Sequence, residues 1–252
     1  MIEVDRLVKI FQDGSRGPIK AVHEVSFEVR PGEIFGLLGP NGAGKTTCLR
    51  LLSTLLQPTG GTARVAGHDI RTEPDQVRRN IGFLSGDMGL YHRLTPREVV
   101  TFFGRLHRWP DRQLRDRVEE IFALLKIHDF ADRKIEKLSS GMRQRVAIAR
   151  TLVHQPPILI LDEPTFGLDV PTARLIEEFI LGARKTGKCI LFSTHVMEEA
   201  EYLCDRIAVI SAGEIRSMGT MPELRARTGK QRLREIFLDL LGISPVSEGG
   251  RV

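Results

Sequence analysis

Cysteine is scarce in this chain: 252 residues contain three, Cys48, Cys189 and Cys204. An odd number without metal-ligand spacing argues against a disulfide framework and for reduced thiols. Long apolar runs are also missing. Stretches such as Ile158 to Leu161 fall far short of the ~20 residues that a membrane-crossing helix needs. Met1 to Ile10 carries charges where a signal peptide would have an apolar core, so a cytoplasmic location is expected. Excess charge is small: 37 basic against 32 acidic residues gives a formal +5. That imbalance is a weak signal, and no nucleic-acid partner is expected from it. Arg105, Arg108, Arg112, Arg115 and Arg117 cluster, but they alternate with apolar residues at helical spacing, as a solvated helix face does. Internal repeats and low-complexity tracts are absent. The length allows one large domain or two small ones, either with a sizeable core.

What is present is concentrated chemistry. Gly39, Pro40, Asn41, Gly42, Ala43, Gly44, Lys45 and Thr46 form a complete phosphate-binding loop, with Thr47 directly after it. The apolar run Ile34 to Leu38 before it reads as a buried strand, and Cys48, Leu49, Leu51, Leu52 and Leu55 after it read as a helix. Such a loop turns backbone N–H groups inward around phosphate oxygens, in conformations that a Cβ would obstruct. Lys45 would carry positive charge to the β and γ phosphates, and Thr46 would offer its hydroxyl to Mg²⁺. A nucleoside triphosphate is the expected ligand.

A second element, Ile158 to Leu161 followed by Asp162 and Glu163, reads as a buried strand ending in two acids. Acids at the carboxyl end of such a strand emerge beside a phosphate site. Asp162 is expected to hold the hydration shell of Mg²⁺, and Glu163 to orient or deprotonate an attacking water. Taken alone, the pair could simply start a surface turn before Pro164.

The remaining pattern predicts an α/β chain. Strands are expected at Ile2 to Val8, Val25 to Val29, Thr62 to Val65, Ile81 to Leu84, Cys189 to Ser193 and Arg206 to Ser211. From Pro96 to Leu125 the apolar residues recur at three and four, an inserted helical region. Helices are expected at Met142 to His154 and Pro171 to Arg184. Leu233, Ile236, Phe237, Leu240 and Leu241 predict a short helix ending near Gly242, with Ser247 to Val252 disordered.

Leu138-Ser139-Ser140-Gly141-Met142-Arg143-Gln144-Arg145 lies shortly before the acidic strand. Physically it is a helix N-terminus that could bind an anion or merely be capped by Ser139. In this order of motifs it resembles the signature of ATP-binding cassette (ABC) proteins, usually Leu-Ser-Gly-Gly-Gln, with Ser140 and Met142 as departures. Gly167-Leu168-Asp169 is similar to that family's D-loop, and Ser193-Thr194-His195 to its switch-histidine region.

The resemblance covers about the first 220 residues and implies the following. The fold is a P-loop ATPase of the ABC type: a parallel-sheet core, an N-terminal antiparallel β subdomain and an inserted helical subdomain at about 88–155. The cassette spans 1–228, and 229–252 forms a C-terminal helix and tail. His195 faces the γ phosphate and Glu163. Phe11 stands where an aromatic stacks on adenine, although a core role is equally open. Two chains meet head to tail, each ATP lying between one chain's loop and the other's Ser139, Ser140 and Gly141, with Asp169 nearby. An ABC-2 type transmembrane permease is the expected partner, on the cytoplasmic face of the cell membrane.

Where the family usually has glutamine, after the strand Ile81 to Leu84, this chain has Gly86, with Asp87 or water as substitutes. Ser85 to Tyr91 and Leu94 to Glu98 resemble the sodium-extruding, NatA-like branch. Drug, lipid or peptide export, and a soluble cassette acting on another assembly, are the alternatives.

Overall fold

The computed structural model describes residues 1–13, 17–86 and 89–243. In chain order its elements are β1 (Ile2–Asp13), β2 (Gly17–Val29), β3 (Ile34–Leu38), α1 (Lys45–Leu52), β4 (Gly60–Val65), β5 (His68–Asp69), α2 (Pro74–Asn80), β6 (Ile81–Leu84), α3 (Pro96–Leu106), α4 (Asp111–Leu124) and α5 (Ser140–Leu152). There follow β7 (Ile158–Asp162), α6 (Val170–Lys185), β8 (Cys189–Thr194), α7 (Met197–Leu203), β9 (Arg206–Ser211), β10 (Glu214–Gly219), α8 (Met221–Thr228) and α9 (Leu233–Leu240).

Two sheets organise them. β2-β1-β4-β5 is antiparallel, and the larger sheet runs β10-β9-β3-β8-β7-β6. In the larger sheet β9, β3, β8, β7 and β6 are mutually parallel, and β10 lies antiparallel on its edge. Every residue of β3, β7 and β8 is buried, which is why these strands read as continuous apolar runs. Their side chains alternate between two cores. Ile34, Leu159, Leu161, Ile190 and Phe192 face the helical region, where Val99, Leu114, Val118, Phe122 and Ile148 meet them. Phe35, Leu37, Ile158, Ile160 and Leu191 face the other way, against α1 and the antiparallel sheet. At ~1.5–3 kcal/mol for each large apolar side chain removed from water, these two layers hold the helical region and the antiparallel sheet to one frame.

Helix starts follow their caps. Thr95 and Glu98 form a reciprocal capping box at α3, Thr95 Oγ1 accepting from Glu98 N–H and Glu98 Oε2 from Thr95 N–H. Ser139 and Asp169 cap α5 and α6 in the same way, accepting from Met142 N–H and Thr172 N–H. The cap at Ser139 starts α5 two residues before the predicted Met142, and the helix ends at Leu152 instead of His154. α1 ends at Leu52, so Leu55 lies outside it and is exposed. The predicted Pro96–Leu125 region is two helices, broken where Arg108 takes a left-handed φ of 59°. Of the arginine cluster, Arg105 pairs with Asp111 on the surface, whereas Arg117 turns inward and donates to Leu152 O. α9 buries Leu233, Ile236 and Phe237 against Leu38, Ile207, Val209 and Leu224. Asp87 and Ser247 to Val252 lie outside the described residues.

Candidate functional site

The site is built by the register of the parallel sheet. Leu38 on β3 pairs with Thr194 on β8, Ser193 pairs with Asp162 on β7, and Leu161 pairs with Leu84 on β6. The residues that follow these strand ends therefore leave the sheet along one edge: Gly39, His195, Glu163 and Gly86. In an open parallel sheet that carboxyl edge is where ligands bind.

Between β3 and α1 the loop wraps the start of the helix. Gly44 has φ 102°, and a Cβ there would stand 2.2 Å from Ala21 O; one on Gly39 would stand 2.3 Å from Ile210 O. Only glycine fits either place. Pro40, Asn41 and Gly42 are exposed, Ala43 is buried, and Thr47 is half-buried in the first turn of α1. Lys45 is 4% exposed; its Nζ donates to Gly39 O at 2.7 Å and Pro40 O at 3.1 Å and lies 3.3 Å from Glu163 Oε1. Thr46 Oγ1 donates to Asp162 Oδ1 at 3.1 Å. A hydroxyl and a carboxylate are hard oxygen donors of the kind Mg²⁺ takes, so the residues present fit that ion. Cys48, one turn further, is fully buried, and burial pushes its thiol up to about 12, which removes it from the chemistry.

Glu163 has a left-handed backbone, φ 47°, which costs of order 1 kcal/mol or more in a non-glycine residue. It is held there by Ser193: Glu163 N–H donates to Ser193 O at 3.2 Å and to Ser193 Oγ at 3.1 Å. The same Ser193 hydroxyl donates to Asp162 Oδ1 at 2.6 Å. The twist aims the Glu163 carboxylate between two cations or potential cations, with Oε2 3.2 Å from His195 Nδ1 and Oε1 facing Lys45. His195 Nδ1 is buried and lacks the alignment of a hydrogen bond to that carboxylate. The Phe166 ring stands edge-on to His195, centroids 5.4 Å apart.

A cleft of about 320 Å³ opens over these groups, and Gly86, Thr46, Asp162, Ser140, Gln144 and Phe166 are among its lining residues. Gln144 Nε2 donates to Pro164 O at 2.6 Å and so ties α5 to the turn after Glu163. A side chain at Gly86 would meet nothing within 4 Å, so the position is open.

The structure thus brings the phosphate loop, Lys45, Thr46, Asp162, Glu163 and His195 together. Among the described residues, no hydrogen bond or ion pair joins Phe11, Ser139 or Asp169 to that cluster. Phe11 is 38% exposed on β1 with Lys9 Nζ 5.1 Å from its ring centroid, which removes the core alternative. Ser139 is exposed at the tip of α5 and Gly141 is buried against Thr172. Asp169 caps α6, and the Thr172 N–H and hydroxyl hold its carboxyl below the usual range. Sequence reasoning missed Ser193 and Gln144. For Ser193 the available signal was a hydroxyl residue near the end of an apolar strand, two residues before His195.

The family model for "ABC transporter" matches residues 22–166. The chain is 40% identical over 247 residues to the ABC transporter ATP-binding protein NatA of Bacillus subtilis, covering 97% of this chain and 100% of that protein. It is 40% identical to the daunorubicin/doxorubicin resistance ATP-binding protein DrrA of Streptomyces peucetius, over 92% of this chain and 69% of that one. Among solved structures, the ATP-binding subunit of an ABC transporter superposes with TM-score 0.86 at 26% identity, covering 96% of this chain and 99% of that one. The dimeric ATP-binding cassette MJ0796, bound to ADP and Pi in a post-hydrolysis state, superposes with TM-score 0.79 at 28% identity, over 87% of this chain and 98% of that one.

Proposed function

Because this chain belongs to the ABC transporter family and is an ATP-hydrolysing cassette of the exporter type, we propose that it powers export through a separate ABC-2 type permease, with sodium as the cargo. It would work at the cytoplasmic face of the membrane, as a homodimer of cassettes. Among the described residues no helix is long and apolar enough to cross a membrane, so the path for the cargo would have to come from another subunit.

The observation that carries the catalytic reading is the position of Glu163, 3.3 Å from Lys45 and 3.2 Å from His195, beside the Thr46–Asp162 pair. The phosphate tail lies against the loop's N–H groups and draws Lys45 away from the Gly39 and Pro40 carbonyls. Glu163 takes a proton from water as the water oxygen bonds to the γ phosphorus, and the bond from that phosphorus to the ADP oxygen breaks. Lys45 stabilises the charge on the transferring group, and His195 orients Glu163 and meets the γ phosphate. Thr46 and Asp162 would hold Mg²⁺, which neutralises phosphate charge when bound. Ser139 and Ser140, exposed at a helix start, and the backbone of Gly141 behind them would supply the partner's half of each site, with Asp169 alongside. Phe11 stacks on the adenine.

Tyr91, Phe102 and Leu106 are 53%, 44% and 61% exposed, with Tyr91 and Phe102 edge to face at 6.2 Å. This is the surface on which the permease would dock; Trp109 instead packs against the core. The sodium assignment rests on the resemblance of Ser85 to Tyr91 and Leu94 to Glu98 to the sodium-extruding branch, and the match to the daunorubicin/doxorubicin resistance protein DrrA supports drug export as the second reading.

Glu163→Gln should keep ATP affinity, slow hydrolysis at least 100-fold and trap an ATP-bound dimer. Isolated from native membranes with ATP, that variant should bring a polytopic permease with it, whose sodium and drug fluxes then separate the two cargoes. Unchanged turnover would remove Glu163 from its role. Capture of ribosomal or DNA-bound partners without a membrane protein would overturn the exporter reading.

A further inference from the structure

A buried carboxylate lies behind the Glu163–His195 pair. Glu199, in the first turn of α7, is 6% exposed. Thr165 Oγ1 donates to its Oε1 at 2.6 Å, and Thr194 Oγ1 donates to its Oε2. The Thr194 oxygen also accepts Val196 N–H at 3.0 Å, so this hydroxyl joins the carboxylate to the turn before α7. Among the described residues no lysine or arginine pairs with Glu199. An ionised carboxylate in such a place is costly unless it is hydrogen-bonded, which makes the two hydroxyls its main compensation. Burial pushes its carboxyl up, Glu177 on α6 adds to that, and the two hydroxyls and His195 oppose it.

The two donors belong to the two loops that carry the reacting pair. Thr165 stands two residues after Glu163, and Thr194 immediately precedes His195. The strand ends beneath are already fixed by Ser193, which bonds both Asp162 and the Glu163 N–H. Above the sheet the Phe166 ring also meets His195 and Gln144 holds Pro164 O, and Glu199 adds hydrogen bonds to both loops, while Glu163 itself sits in a left-handed backbone conformation.

We propose that Glu199 is a positioning residue: by receiving the Thr165 and Thr194 hydroxyls on one carboxylate, it sets the separation of Glu163 from His195 on which hydrolysis depends. The inference rests on the assignment of that pair given above. A carboxylate suits the place because it presents an acceptor oxygen to each hydroxyl, whereas an amide of the same size presents an oxygen to one and an NH2 to the other, so that one hydroxyl has to turn round.

The test uses the full chain with Glu199→Gln, and with Thr165→Val and Thr194→Val, each of which removes one arm and keeps the volume. Glu199→Gln should lower kcat for ATP hydrolysis at least tenfold, with KM within about twofold and Tm not reduced, and each valine variant should reproduce part of that loss. Placed in the Glu163→Gln background, Glu199→Gln should slow the residual rate no further, since both changes act through the same group. A native kcat would overturn the proposal, as would a loss matched by weaker ATP binding or lower Tm in all three variants, or an undiminished loss in the Glu163→Gln background. If Glu163→Gln alone hydrolyses ATP normally, it is the assignment of the reacting pair that fails, not the clamp behind it.

Discussion

Lys45 is held by two carbonyls of its own loop and faces Glu163, so a triphosphate must compete for an ammonium that is already satisfied. What the phosphate offers in exchange is charge, and charge-assisted hydrogen bonds contribute ~1.5–3 kcal/mol each. Lys45→Ala should therefore weaken ATP binding by roughly 10- to 100-fold, measurable by titration with a fluorescent nucleotide; native affinity would contradict the part given to this loop. The residues to which the proposal gives phosphate chemistry were legible in the sequence because their types and spacing are forced: Gly39 and Gly44 by close backbone approach, Asp162 and Glu163 by their place at the end of a buried strand. Ser193, Thr165 and Glu199 were not legible. Their importance comes from hydrogen bonds between segments some thirty residues apart, and a serine or glutamate has no local pattern that announces such a bond.

The same division appears among the elements. β3, β6 and β9 fall where apolar runs place them, since burial on both faces leaves an unmistakable string of aliphatic residues. β10 was missed because Glu214–Gly219 is half polar; it forms through a hairpin at Ala212 and Gly213, with φ of 50° and 79°, a turn chemistry that was overlooked. α2 and α7, seven residues each, bury too few apolar side chains to show a helical period. One junction between elements titrates. His154, just beyond α5, donates from Nε2 to Ile81 O at the start of β6 and stacks on His107 at 4.0 Å. Burial, with His107 adding, lowers its pKa to about 4. Its folded value lies below that of the unfolded chain, so the stability it contributes is complete above about pH 6.5 and is lost as pH falls towards 4. The loss amounts to no more than about 3.5 kcal/mol. His154→Gln should flatten Tm against pH across that window, and an unchanged acid limb would show that the junction does not protonate there.

At the scale of the whole molecule, the exposed Tyr91, Phe102 and Leu106 stand apart from the nucleotide cleft, on the outer face of the helical region. Phe102→Glu should leave ATP binding by the isolated chain as it is and abolish co-purification with a permease; retained co-purification would move the docking surface elsewhere. The exposure of Ser139, at the start of α5, leaves that helix start open to a second copy.

The register that gathers the catalytic groups also limits what they can do. Glu163, His195 and the phosphate loop leave adjacent strands of one fully buried parallel sheet, whose hydrogen bonds fix their spacing. A frame of that kind cannot act as a spring. The work of each turnover proposed above would then have to appear as movement of a facing cassette relative to a rigid plate, so that the chain would behave as an anvil against which a second copy is driven.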